Sequence, residues 1–136
     1  MRVWLYARLS NDDDREMNSL LNQREICQAF AEQHGYIIMG QSFDDNISGM
    51  SFDRRGLDEL TAAVDADMID AVIVKDLSRL GRHRTQTALF IDYLREHQVR
   101  VISATEGVDT FRDEDDLIIG VRGLMNDYYA KDIGKK

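Results

Sequence analysis

Ala71-Val72-Ile73-Val74, followed at once by Lys75-Asp76-Leu77-Ser78-Arg79-Leu80-Gly81-Arg82, is the stretch on which the fold turns. Four consecutive apolar residues, mostly β-branched, suit a short strand buried on both faces, and such strands belong to parallel sheets covered by helices. Upstream, Leu57, Leu60 and Val64 recur at helical spacing, and Tyr36–Phe43 (YIIMGQSF) predicts a strand. Asp44–Phe52 is expected to form a loop between them. Further back, a helix is expected from about Asn18 to His34, with Leu20, Cys27, Phe30 and Ala31 on one face and Gly35 as its left-handed stop. Arg2–Leu9 (RVWLYARL) predicts the first strand. Downstream, a helix over about Thr85–His97 should turn Leu89, Phe90, Tyr93 and Leu94 inward, and Val99–Ala104 predicts a fourth strand. From about Asp115, Leu117, Val121, Leu124, Met125 and Tyr128 again follow helical spacing. The alternation implies an α/β domain: a mainly parallel sheet of about four or five strands, helices on both faces, and a long C-terminal helix over about 115–136. That helix ends without a closing element, so it is expected to be truncated and to lead into more chain.

Composition narrows the chemistry. A chain of 136 residues, 43% hydrophobic and 31% charged, is sized for one globular core. Its apolar runs fall far short of the ~20 residues that span a bilayer, so no membrane partner is expected. Cys27 is the single cysteine, which excludes an internal disulfide and a multi-thiolate metal site and predicts a reducing, cytoplasmic setting. His34, His83 and His97 lack ligand-like spacing, so neither metal nor cofactor is expected. The net charge of −8 opposes binding nucleic acid by bulk attraction. Local distribution points the other way: Lys75, Arg79, Arg82 and Arg84 crowd one segment against Asp76 alone.

Three polar clusters fall at the carboxyl ends of the predicted strands, where α/β sheets meet their ligands. Strand alternation puts Tyr6, Arg8 and Ser10 on one side, so a hydroxyl and a guanidinium emerge together; a polar strand end with a turn-capping Ser would look the same. Asp45, Ser48 and Gly49 with Arg54 and Arg55 form the second cluster, equally readable as a polar loop with Asp53 near a helix N-cap. In the third, Arg79 and Arg82 are spaced to share one helical face at a helix start. Cations are unfavourable there and call for an anionic partner. Guanidinium forks match phosphate oxygens, and several of them can stabilise a pentavalent phosphoryl transition state without a metal.

The segments YARLS (Tyr6–Ser10), DDNISG (Asp44–Gly49) followed by DRRGLDEL (Asp53–Leu60), and VIVKDLSRLGR (Val72–Arg82) stand in an order and spacing that resembles the resolvase/invertase, or serine recombinase, family over essentially the whole chain. The resemblance implies a catalytic domain that cuts and rejoins DNA at specific sites. Ser10 matches the nucleophile that forms a 5′-phosphoserine, and Arg8, Arg54, Arg79 and Arg82 match the arginines around the scissile phosphate. Tyr6, Gln23, Asp45 and Ser48 match supporting positions of the same neighbourhood. Ser78 stands where the family often has Asp before the first arginine of the DRLGR motif, with Asp76 as a partial substitute, and this resembles the large serine recombinase branch. The family further implies religation without metal or ATP, DNA as partner, homodimers that synapse as homotetramers, an oligomerisation helix starting at about 115–136, and a separate DNA-binding region downstream.

Other classes fit less well. A serine esterase needs a Gly-x-Ser-x-Gly elbow and a paired His, and Ser10 has neither in sequence. A phosphate-ligand-binding α/β domain needs a Gly-rich loop after the first strand, where this chain has Ser10-Asn11-Asp12-Asp13-Asp14. A catalytically silent oligomerisation domain keeps the fold and the last helix but not the chemistry.

Overall fold

A computed structural model of the chain describes residues 1–10, 18–46, 54–81 and 84–111. Within them the elements run β1 (Arg2–Ser10), α1 (Leu20–Gln33), β2 (Ile37–Asn46), α2 (Arg55–Asp65), β3 (Ala71–Val74), a 3-10 turn (Leu77–Leu80), α3 (Arg84–Glu96), β4 (Arg100–Ser103) and β5 (Val108–Asp109). The strands form one five-stranded sheet in the order β2-β1-β3-β4-β5, parallel except for the β4–β5 pair. The α/β class and the mainly parallel sheet are as predicted. The long helix expected over about 115–136 lies outside the described residues.

Each strand face has its own core. Tyr6, Val72, Val74 and Val101 pack with Leu57, Leu60 and Val64 of α2 and Ile91 and Leu94 of α3. Val3, Leu5, Ala71, Ile73 and Ile102 pack with Cys27 and Ala31 of α1 on the other face. The run Ala71–Val74 is fully buried, as a strand covered on both sides requires. Gly35 ends α1 at φ 68°, the left-handed stop expected of it.

Three local expectations are corrected. Strand β2 continues to Asn46, so Asp44, Asp45 and Asn46 belong to the sheet rather than to a loop. Parallel pairing to β1 as far as Ser10↔Asn46 holds the extra residues in place. Leu89, expected inward, is 58% exposed, because α3 buries Thr87, Ala88, Ile91 and Leu94 instead. Arg79 does not stand at an α-helix start, and Arg82, expected to share its face, lies outside the described residues. Arg79 sits in the 3-10 turn, and Gly81 in extended conformation separates that turn from α3. The dipole argument for an anionic partner therefore falls for Arg79.

Candidate active site

The chain leaves β1, β2 and β3 at the same sheet edge, which is why three remote segments meet there. A cleft of about 530 Å3 opens at this edge on the α2–α3 side, and Tyr6, Arg8, Asp44, Arg54, Arg79 and Gly81 contribute to its lining. Arg8 and Arg79 are 8% and 5% exposed, so both guanidinium groups are set into the wall of the cleft. Arg54, at the N-cap of α2, stands at its open side and forms a surface ion pair with Asp58 at 3.7 Å. Ser10 is half-buried at the end of β1 and does not line the cleft, but alternation keeps it on the Arg8 side, about 6.6 Å further along the strand.

Two arginines hold each other's backbone. Arg8 Nη2 donates to the carbonyls of Ser78 at 2.6 Å and Gly81 at 3.1 Å, while Arg79 Nη1 donates to the carbonyl of Arg8 at 2.8 Å. Each guanidinium is thereby fixed in plane by groups from the other's segment, a geometry that an ammonium cannot reproduce. Arg79 Nε also pairs with Asp76 Oδ1 at 3.2 Å, and the same oxygen accepts from the Ser78 amide and hydroxyl. A carboxylate thus stands next to Ser78 although the sequence has none at that position. Lys75 turns to the opposite side and donates to Asn18 and Asn22.

Gln23, matched to the neighbourhood by resemblance, works through the backbone. It is fully buried; Nε2 donates to Arg8 O at 2.8 Å and to Asn18 O at 2.7 Å, and Oε1 accepts from Arg8 N at 3.2 Å. Tyr6 donates from its hydroxyl to Asp44 Oδ2 at 2.6 Å. Burial, reinforced by that bond, pushes its ionisation far above the usual tyrosine range. Asp45 is exposed beside Leu9 in register. Arg82 and Ser48 lie outside the described residues.

Asp44 was not singled out from the sequence. It is 1% exposed and accepts from Gly56 N at 2.7 Å, Leu57 N at 3.0 Å and Tyr6 Oη, so it caps α2 from a neighbouring strand. Arg54, the N-cap itself, makes no side-chain capping bond, and Asp53 lies outside the described residues. The available signal was alternation: Ser42 and Asp44 share the inward side of β2, a pattern cut short by ending the predicted strand at Phe43.

Fold and site together define an α/β domain that presents clustered guanidinium groups at the carboxyl edge of a parallel sheet. Residues 3–136 match the family model described as Resolvase, N terminal domain, and the chain belongs to that family. The Transposon Tn3 resolvases of Escherichia coli and Klebsiella pneumoniae are each 29% identical to it over 121 residues, covering 89% of this chain and 60% of theirs. The chain therefore spans less than two thirds of the length of these curated relatives. Among solved structures, a resolvase family site-specific recombinase from Streptococcus pneumoniae superposes with a TM-score of 0.79 at 26% identity, covering 98% of this chain and 90% of that one. The N-terminal catalytic domain of TP901-1 integrase shares the fold, with a TM-score of 0.80 at 23% identity over 96% of this chain and 98% of its own.

Proposed function

We propose that this chain is the catalytic domain of a site-specific DNA recombinase in which Ser10 attacks a DNA phosphodiester. The observation that carries the reading is the convergence of Arg8, Arg54 and Arg79 from three elements on one cleft at the strand end that bears Ser10. The family membership and the Tn3 resolvase relatives support DNA as the substrate. Ser10 Oγ forms a bond to phosphorus as the bond from phosphorus to the 3′ oxygen breaks. The serine hydroxyl gives up its proton and the departing 3′ oxygen gains one, leaving a 5′-phosphoserine and a 3′ hydroxyl. One phosphoester replaces another, so rejoining is the same step in reverse after strand exchange and draws on no ATP. Arg8 and Arg79, held rigidly by their mutual clasp, stabilise charge on the nonbridging oxygens, while Arg54, from the open side of the cleft, and Arg82, by its family match, hold the phosphate. In this reading the complete protein acts as a homodimer that synapses as a homotetramer, with further DNA contacts made beyond the chain described.

The test is to trap the complete protein on a nicked suicide DNA substrate and locate the DNA-linked residue by mass spectrometry. The adduct is expected on Ser10. Ser10→Ala should give none while keeping the circular dichroism of the wild type, and an adduct that persists in this variant removes the assignment.

A further inference from the structure

The segment Lys75–Gly81 carries Arg79 and contains only the short 3-10 turn Leu77–Leu80, so some of its backbone groups need partners from outside it. Lys75 O and Leu77 N find theirs in the turn between β4 and β5. Lys75 O accepts from Thr105 N at 3.0 Å and Thr105 Oγ1 at 2.7 Å. Leu77 N, at the first residue of the 3-10 turn, donates to Glu106 Oε1 at 3.0 Å. The same carboxylate oxygen accepts from the buried Ser103 Oγ at 2.7 Å, which fixes the glutamate in turn. Two residues beyond Leu77, Arg79 crosses to Arg8 and Asp76. One carboxylate outside the cleft thus ties the loop that bears a cleft arginine to a separate strand connection.

We propose that Glu106 is a positioning residue: it braces the Lys75–Gly81 segment so that Arg79 meets the scissile phosphate in one fixed pose. The inference rests on the recombinase reading above. Glu106 lines no part of the arginine cleft, so its effect on cleavage must pass through the loop. The bond from the Leu77 amide to the Glu106 carboxylate is charge-assisted though solvent-exposed, the buried Ser103 hydroxyl holds the same oxygen, and small misplacement of a charge-stabilising group is costly in rate.

The experiment compares Glu106→Ala and Glu106→Gln in the complete protein, reading the single-turnover rate of adduct formation at saturating DNA together with exchange of the Leu77 amide. Glu106→Ala is expected to slow adduct formation about tenfold, to leave DNA affinity within about twofold, and to accelerate Leu77 exchange. Glu106→Gln keeps an acceptor oxygen and should restore the rate to within about threefold of wild type. An unchanged rate in Glu106→Ala overturns the proposal, as does a Glu106→Gln variant equally slow while Leu77 stays protected, since the charge would then act by another route. If Glu106→Ala does not fold, Ser103→Ala loosens the same carboxylate and should slow the rate about threefold with faster Leu77 exchange; wild-type behaviour there overturns the brace. Absence of any adduct from the wild type instead removes the recombinase reading, whereas Leu77 exchange judges the brace by itself.

Discussion

Tyr6 is a tyrosine that the fold keeps protonated. Its hydroxyl is the third donor on the buried Asp44 carboxylate, after the amides of Gly56 and Leu57. Removing it in Tyr6→Phe leaves that carboxylate short of one partner, an expected loss of about 1–3 kcal/mol measurable by urea unfolding. The pH dependence follows from the sign of the shift. An acid whose ionisation is raised on folding contributes stability in full below its unfolded value, about 10 for tyrosine. That contribution fades as pH rises above it, because only the unfolded chain then releases the proton. Between pH 6 and 9 Tyr6 exchanges no proton, so the pH profile of adduct formation in Tyr6→Phe should match the wild type. A displaced profile would make Tyr6 a proton carrier and defeat the structural account. The family pattern points to Tyr6 by position, but its role is legible only with Asp44, and that pairing spans 38 residues of sequence. Gln23 teaches the same lesson: its side chain reaches the backbone of Arg8, which no local pattern announces.

At the scale of elements, the approach of α2 to β2 decides where Arg54 stands. Gly56 permits it, since a Cβ there would lie 2.4 Å from Phe43 O and 2.6 Å from Phe43 C, both backbone atoms that cannot swing aside. Gly56→Ala is expected to push the start of α2 outward, disturb the two amide bonds to Asp44, and cost about 1–3 kcal/mol in denaturant unfolding. Because Arg54 immediately precedes that start, adduct formation should fall further than lost stability alone accounts for; a stable Gly56→Ala variant at full rate would refute the packing argument. Strong local signals were readable in the sequence, as the continuous apolar run Ala71–Val74 and the Gly35 stop demonstrate. What escaped were elements fixed by partners far along the chain. The last residues of β2 are strand because β1 pairs with them, and the first amide of the 3-10 turn is held by Glu106, 29 residues away. Leu89 misled because its helix faces the core through the smaller Thr87 and Ala88, leaving the larger side chain at the cleft.

For the molecule as a whole, on the recombinase reading proposed above, the balance of charge sets how it meets DNA. A net charge of −8 repels the polyanion at long range, while the cleft offers a few guanidinium groups at short range. Affinity therefore has to come from a small number of phosphate contacts, about three from Arg8, Arg54 and Arg79, or about four with the expected Arg82. Counterion release then gives a slope of log affinity against log salt of about −2.7 to −3.6. Binding by the 136-residue chain should be weak and should fall about 40- to 150-fold as salt rises fourfold, from about 50 to 200 mM. Fluorescence anisotropy with a labelled duplex measures both quantities. A slope steeper than about −6 would require cationic contacts well outside the cleft. Tight sequence-specific binding at physiological salt would likewise place recognition within this domain rather than beyond it, against the charge distribution that the fold displays.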